Sequence, residues 1–243
     1  MDEAENLAEL LPQIHTTLAE FAIAYEIVIV DERANARTRD VAARHRATLL
    51  SPASHGYGAA LRAGFQHAAG DYIITMDADQ SHPPALLRDL WAARAQGEIV
   101  IASRYVAGGR AEMPWERLVL SRVLNLLFSR GLDLRVRDMS SGFRLYRASV
   151  VRQIAAVNRD FDFLQELLVK ALMAGYRIAE IPFAYQPRRH GATHARVIQF
   201  GLAYLRTFRQ LWRQRNSVAS ADYDARAHDS AVPPQRYWQR RRY

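Results

Sequence analysis

Two carboxylates one residue apart, Asp77 and Asp79, stand in the run Met76-Asp77-Ala78-Asp79-Gln80-Ser81-His82-Pro83-Pro84, directly behind the β-branched stretch Asp71–Met76. Carboxylates held at a strand end suit Mg²⁺ or Mn²⁺, hard cations that take a few protein oxygens and then bridge to phosphates. The competing reading is that Asp79 caps the helix entered at Pro83-Pro84. A second chemical resource is arginine. Lys and Arg number 33 against 25 Asp and Glu, a net charge of +8, and Lys170 is the only lysine. Such a surplus fits nucleic acid, an anionic membrane or phosphorylated substrates. The absence of cysteine excludes disulfides, thiolate metal sites and a cysteine nucleophile.

The elements that must position these groups alternate. Tyr25–Val30, Asp71–Met76, Glu98–Ala102 and Arg177–Phe183 are predicted strands; Glu5–Phe21, Ala36–Arg46, Ala59–Ala69 and Pro84–Ala95 are predicted helices. That alternation argues for an α/β domain, a mainly parallel sheet covered on both faces, with ligands beyond the carboxyl ends of the strands. A helix pattern begins almost at Met1 with no strand before it, so the first strand of such a sheet is apparently missing. No stretch has the length of a transmembrane span or the make-up of a signal peptide. Between Arg188 and Arg215 stand seven arginines, two histidines and no acidic residue; Val197, Ile198, Tyr204, Leu205, Phe208, Leu211 and Trp212 share one helical face there, with Arg206, Arg209, Gln210 and Arg213 opposite. This is the pattern of a helix lying in a membrane interface, or of a terminal helix packed on its domain.

The order of motifs resembles glycosyltransferase family 2, in its polyprenyl-phosphate (dolichyl-phosphate) mannosyl- and glucosyltransferase branch. Asp2-Glu3-Ala4-Glu5-Asn6 resembles the end of an opening YNExEN. Tyr25–Asp31 resembles the strand leading to DDGSxDGT, and His55–Leu61 a Gly-rich turn. Asp77–Pro84 resembles the metal motif, and Ser103-Arg104-Tyr105 with Gly108-Gly109 resembles GSRYxxGG. Asp138–Arg144 resembles DxTSGFR, and Pro182 followed by Arg188–His194 resembles a proline preceding RxxGxSK.

The resemblance implies a GT-A-type nucleotide-binding sandwich and an inverting transfer of a hexose from a GDP- or UDP-sugar to a polyprenyl phosphate. Carried over position by position, Asp77 and Asp79 would hold Mg²⁺ or Mn²⁺ against the donor diphosphate, with Asp79 and Arg188 central to catalysis. Glu3, Asp31, Asp77 and Arg188 would contact the donor nucleotide. Ser121, Arg122, Asn125, Asp138, Ser141 and Arg144 would border the acceptor and its phosphate. A phosphate monoester has a second pKa of about 6, so the acceptor is an anionic nucleophile at neutral pH. The expected boundaries are a GT-A-like domain over 1–196, a basic amphipathic interfacial helix over 197–216, and a disordered tail or linker over 217–243. The protein is expected in the cytoplasm, peripheral on an anionic inner membrane face, with a further domain or partner beyond the tail and no nucleic acid.

The chain departs from the pattern at Asp31-Glu32-Arg33-Ala34-Asn35-Ala36-Arg37-Thr38, where the second Asp is Glu32 and both glycines are arginines, and at His194, which stands for a lysine. Glycines there would let backbone approach the nucleotide closely. These departures leave a catalytically weakened or inactive relative as the alternative. An arginine-rich nucleic-acid-binding protein is the alternative of another class, without a recognisable binding fold. Gly56-x-Gly58 lacks the third glycine of a dinucleotide fingerprint.

Overall fold

The computed structural model describes residues 4–112, 115–132, 134–185 and 205–213. In chain order these form α1 (Ala4–Ala19), β1 (Val28–Val30), α2 (Ala36–Arg44), β2 (Thr48–Leu50), α3 (Tyr57–His67) and β3 (Tyr72–Thr75). A short helical run follows, with α4 (Leu87–Ala92) flanked by 3₁₀ turns, then β4 (Ile99–Ser103), β5 (Arg110–Ala111) and α5 (Trp115–Gly131). The remainder is β6 (Arg144–Arg147), α6 (Ala148–Gln153), α7 (Phe163–Met173), β7 (Ile178–Pro182), β8 (Ala184–Tyr185) and α8 (residues 205–213).

Each strand and helix expected from periodicity is present, most of them a residue or more shorter at their ends. Four strands were not expected: the three-residue β2, the two-residue β5 and β8, and β6, whose Arg144-Leu145-Tyr146-Arg147 gives no β-branched signal. β6 runs antiparallel between β3 and β4, while β4 and β7 are parallel. The main sheet is therefore mixed, in the order β3-β6-β4-β7; β1 and β2 form a separate parallel pair, and β5 pairs with β8.

Among the described strands β1 pairs only with β2 and β3 only with β6, so each keeps one unpaired edge. α1 spans the break on one face. Its Leu7 and Leu11 pack with Ile29 and Val41, and its Leu10 and Ile14 with Val100, Phe143 and Leu145 of the larger sheet. The other face of the larger sheet carries the largest core, where Ile99, Ile101 and Tyr146 meet Phe65 of α3, Leu124 and Phe128 of α5, and Leu167 and Leu168 of α7.

α8 docks on this second core. Leu211 is fully buried and Phe208 stands edge-on to Phe128, its ring against Gly131. Thr207 is buried as well, donating its hydroxyl to Asp162 at 2.8 Å. So Phe208 and Leu211, two side chains of the apolar face, close the protein core, as in the packed-helix reading; Trp212 and Leu205 stay about half exposed. Val197 to Tyr204, the other part of that expected helix, lies outside the described residues, as does the tail.

Candidate active site

β3 delivers its chain to the carboxyl edge, and the next residues are fixed by local hydrogen bonds. The Asp77 N–H donates to His82 Nδ1 at 2.9 Å, so that nitrogen is the acceptor and a neutral ring carries its hydrogen on Nε2, 3.9 Å from Asp77 Oδ2. His82 is buried, with its ring stacked on Phe143. It is thus committed to holding Asp77. The Tyr57 hydroxyl donates to Asp77 Oδ1 at 3.2 Å from the other side. Burial, followed by the negative charge of Asp77, pushes the Tyr57 phenol well above its ordinary range, so it remains a donor. Tyr57 is stacked on Phe161 with ring centres 4.5 Å apart.

Asp79 is buried, and its Oδ1 accepts the Ser81 N–H at 3.0 Å, an Asx turn that leads into Pro83 and the 3₁₀ turn at Pro84. The N-cap of that turn is Pro83 and no side chain caps it, so the Asp79 bond shapes the loop and is not the cap that the competing reading expected. The turn is tight enough to put Gln80 at φ +62, with its amide on Glu9 of α1. The Ser81 hydroxyl is buried with no protein partner, beside Asp79. Among the described residues no group of three or more His, Asp or Glu side chains converges on one point. Two carboxylates at a strand end fit a hard divalent ion whose remaining oxygens come from a diphosphate and water. His82, already engaged at Nδ1, does not join them.

On the neighbouring strand ends the altered Asp31–Thr38 segment is well formed. Asp31 Oδ1 accepts the Arg33 N–H, and Asn35 Oδ1 accepts the Thr38 N–H as N-cap of α2. Neither Arg33 nor Arg37 has positive φ, so the backbone at these positions makes no demand for glycine. Arg37 reaches outward to Glu5 at 3.6 Å, both side chains largely in solvent. Glu32 links two loops, because its carboxylate accepts the Gly56 N–H at 2.5 Å and meets His55 Nδ1 at 3.1 Å. The Gly56 amide, and secondarily His55, hold Glu32 below the usual carboxylate range. The end of β1 is thereby tied to the Gly-rich turn. There, Gly56 at φ +116 lies against the Arg159 carbonyl, where a side chain would collide.

Asp138 organises the opposite wall. It is completely buried and takes a bidentate pair from Arg104, Nε and Nη2 both at 2.7 Å, with the Arg104, Ser140 and Ser141 N–H groups. Burial alone would raise its pKa; the Arg104 guanidinium more than offsets this and holds it below the usual range. Asn125 is buried, accepting the Met139 N–H at 2.8 Å. Arg144, also completely buried, donates to the carbonyls of Ser141, Met139 and Leu164. These three residues, expected to border the acceptor, hold the shape of the 138–144 loop, and Arg144 also ties it to α7 at Leu164. Tyr105 donates its hydroxyl to Ser121 at 2.8 Å and lies under both Arg104 and Arg122. Arg122 is exposed. Ser141 has a buried hydroxyl without a partner.

The two walls meet at Gly142. A Cβ there would run into the Tyr57 hydroxyl and lie 3.6 Å from Asp77 Oδ1, so only glycine lets the 138–144 turn reach the carboxylate. The structure thus brings Asp77 beside the 138–144 turn. Glu3 and Arg188 lie outside the described residues. Sequence motifs gave no role to Arg104, Tyr105, Tyr57 or Glu32. Arg104 and Tyr105 directly follow β4, where the rule of strand carboxyl ends could have found them; nothing local marks Tyr57.

The model of the Glycosyl transferase family 2 matches residues 3–155, more than half of the chain, and the chain belongs to this family. It is 32% identical over 200 residues to a dolichol-phosphate mannosyltransferase of Pyrococcus furiosus, covering 78% of this chain and 55% of that protein. It is 31% identical over 208 residues to a polyprenol monophosphomannose synthase of Mycolicibacterium smegmatis, covering 79% and 77%. The chain therefore spans about half the length of the Pyrococcus relative. The fold matches a glucosyl-3-phosphoglycerate synthase of Mycobacterium tuberculosis, solved with Mn²⁺ and UDP-glucose, at TM-score 0.69 and 16% identity over 88% of this chain and 76% of that one. This likeness confirms the GT-A-like architecture.

Proposed function

We propose that this chain is the sugar-transferring domain of an enzyme that moves a hexose from a nucleotide sugar to a polyprenyl phosphate, with inversion. The observation that carries the reading is the meeting of the Asp77 carboxylate with the 138–144 turn at Gly142. The two relatives named for transfer of mannose to dolichol phosphate or polyprenol support the acceptor class.

In the proposed reaction a phosphate oxygen of the acceptor attacks the anomeric carbon while the bond from that carbon to the nucleotide diphosphate breaks. Bound between Asp77 and Asp79, Mg²⁺ or Mn²⁺ would supply positive charge for the departing diphosphate. Tyr57 and His82 orient Asp77, and the Asx turn orients Asp79. Asp31 and Glu32 would present the β1 end to the nucleoside, together with Glu3. Arg122, beside Ser121 and Tyr105, would receive the acceptor phosphate, and Arg188 would neutralise the donor phosphates. The chief requirement is to align two mutually repelling anions, and arginines suit it.

Membrane contact is part of the proposal. Among the described residues no helix is long and apolar enough to cross a bilayer. α5 presents Trp115, Val119, Val123 and Leu126 to solvent, Trp115 at 71% exposure, and α8 adds Trp212 with Arg206, Arg209 and Arg213. Such a surface suits an anionic headgroup layer, where each basic residue is worth about 1 kcal/mol.

A second reading, a donor-binding relative with weak turnover, is favoured by the divided sheet. One experiment addresses both. The chain is incubated with GDP- and UDP-hexoses and polyprenyl phosphate in anionic vesicles, with Mg²⁺, Mn²⁺ or EDTA. Metal-dependent polyprenyl-phosphate hexose from the wild type, lost in Asp79→Asn with donor binding, is the expected result. Donor binding without product supports the second reading. Donor binding by Asp79→Asn equal to wild type would leave Asp79 as a turn residue only.

A further inference from the structure

The turn that opens α3 carries two glycines, and both face polypeptide. A Cβ on Gly56 would collide with the Arg159 carbonyl; one on Gly58 would stand 2.7 Å from the Asn158 carbonyl oxygen and 2.6 Å from Phe163 Cβ. The glycines thus admit the loop 158–163, which leads into α7. The Arg159 carbonyl accepts the N–H groups of Gly58 at 2.7 Å and Ala59 at 3.1 Å, satisfying two of the donors that a helix start leaves open. Between the two glycines, the Tyr57 ring lies on Phe161 of the same loop. The loop therefore sets where Tyr57 stands, and with it the hydroxyl that Tyr57 places on Asp77.

The loop is held at its base by α7. Glu166 is buried there, accepts the N–H groups of Val157 at 2.9 Å and Asn158 at 2.8 Å, and pairs with Lys170. Across the stretch beyond Asn158, a long-range tie comes from Thr207 of α8. Its buried hydroxyl donates to Asp162 Oδ2 at 2.8 Å and accepts from Asn158 Nδ2 at 3.4 Å. One oxygen thus joins both ends of the stretch that carries Arg159 and Phe161. Burial pushes the Asp162 carboxyl up, and the Thr207 hydroxyl opposes this by bonding the charged form. The next residue, Phe208, and Leu211 anchor α8 on the core independently of the loop.

We propose that Thr207 is a positioning residue for Asp77. Through Asn158 and Asp162 it holds Arg159 and Phe161 against the start of α3, and so aims the Tyr57 hydroxyl at the carboxylate. α8 is then a prop behind the donor-side wall, besides being a cover of the core. Every contact in the chain from Thr207 to Asp77 is between named groups, and none of them needs a bound substrate. Groups that orient a metal-binding carboxylate matter to binding even when they never touch the ion. That consequence for donor binding rests on the proposed activity; the link from α8 to Asp77 does not.

Thr207→Val keeps the side-chain shape and removes the hydroxyl; Thr207→Ser keeps the hydroxyl. Two readings use the chain alone: hydrogen exchange at the Gly58 and Ala59 amides, and the NMR signal of the Asp77 carboxylate carbon. The third is Mn²⁺-dependent binding of GDP- and UDP-hexoses, by calorimetry. Thr207→Val is expected to speed exchange at both amides, to move the Asp77 signal in the direction that Tyr57→Phe moves it, and to weaken donor binding by about 3–10-fold. Thr207→Ser is expected to behave as wild type in all three. In the Tyr57→Phe background, Thr207→Val should add little further loss of binding, because both changes act on one contact. An Asp77 signal or amide exchange unmoved by Thr207→Val overturns the proposal, as do additive losses in the double variant, which would leave Thr207 a packing residue. Asp162→Ala removes the acceptor instead of the donor and gives an independent reading should Thr207→Val fold poorly. It is expected to repeat the pattern, and an unmoved Asp77 signal there also overturns the proposal. A wild-type chain that binds no donor speaks against the proposed activity and leaves the exchange and NMR readings to decide this link.

Discussion

β3 and β4 carry similar sequences, Tyr72-Ile73-Ile74-Thr75 and Ile99-Val100-Ile101-Ala102-Ser103, yet every residue of β4 is buried and every residue of β3 is partly exposed. Composition does not distinguish them; neighbours do. β4 is paired on both edges, by β6 and β7, and β3 on one. The two walls of the site inherit the difference. The acceptor-side wall grows from β4 and is held by a buried ion pair and by side chains bonded to backbone. The donor-side wall grows from β1 and β3 and is held by side-chain links from Tyr57, Glu32 and Glu9 across loops.

Breaking the acceptor-side wall should cost most. Arg104→Ala leaves Asp138 buried without its counter-charge, and loss of one partner of a buried pair costs about 3–5 kcal/mol. That is a large share of a stability of about 5–15 kcal/mol, and corresponds to a melting temperature lower by on the order of 10 °C. The sign with pH follows from the shift. The folded-state pKa of Asp138 is depressed, so its contribution is present above the unfolded value of about 3.9 and is lost as pH falls through the folded one. The gap between wild type and Arg104→Ala should therefore narrow below about pH 4 in acid denaturation curves. A constant gap would mean that Arg104 acts by packing alone.

On the donor side the same kind of change should spare the fold and alter binding. Tyr57→Phe removes the hydroxyl on Asp77 while keeping the ring on Phe161. Residues that orient metal ligands typically matter by about 10–100-fold, so Mn²⁺-dependent donor affinity, measured by calorimetry, should fall about tenfold with little change in melting. Unaltered affinity would reduce Tyr57 to a packing residue.

The smallest effect is expected at the altered motif itself. In the double variant Arg33→Gly, Arg37→Gly, the exposed Arg37–Glu5 pair is lost, worth at most about 1 kcal/mol. Since neither position needs glycine's backbone freedom, donor affinity should change by less than about tenfold. A larger gain would show that the arginines obstruct the nucleotide.

Much of the fold was legible because periodicity is local. The predicted strands and helices could be read from short runs of adjacent residues. β6 was not legible: Arg144 and Arg147 interrupt any apolar alternation, and the strand exists because Leu145 and Tyr146 are sandwiched between β3 and β4. In the same way the α8 stripe was amphipathic enough for a membrane, but an apolar face does not say what it meets. The neighbouring Phe128 and Gly131 decided where Phe208 goes.

Ordered motifs were enough to establish the family, and a β-branched run followed by a proline pair was enough to put Asp77 and Asp79 at a strand end. Which charged residues can meet a ligand was settled by tertiary packing. Arg144 and Arg122 are the same residue type, both expected at the acceptor, yet one is spent on three backbone carbonyls and the other is exposed. The reason is that burial and hydrogen-bond partners are set by chain segments distant in sequence, and an unpaired buried guanidinium is too costly to leave unsatisfied.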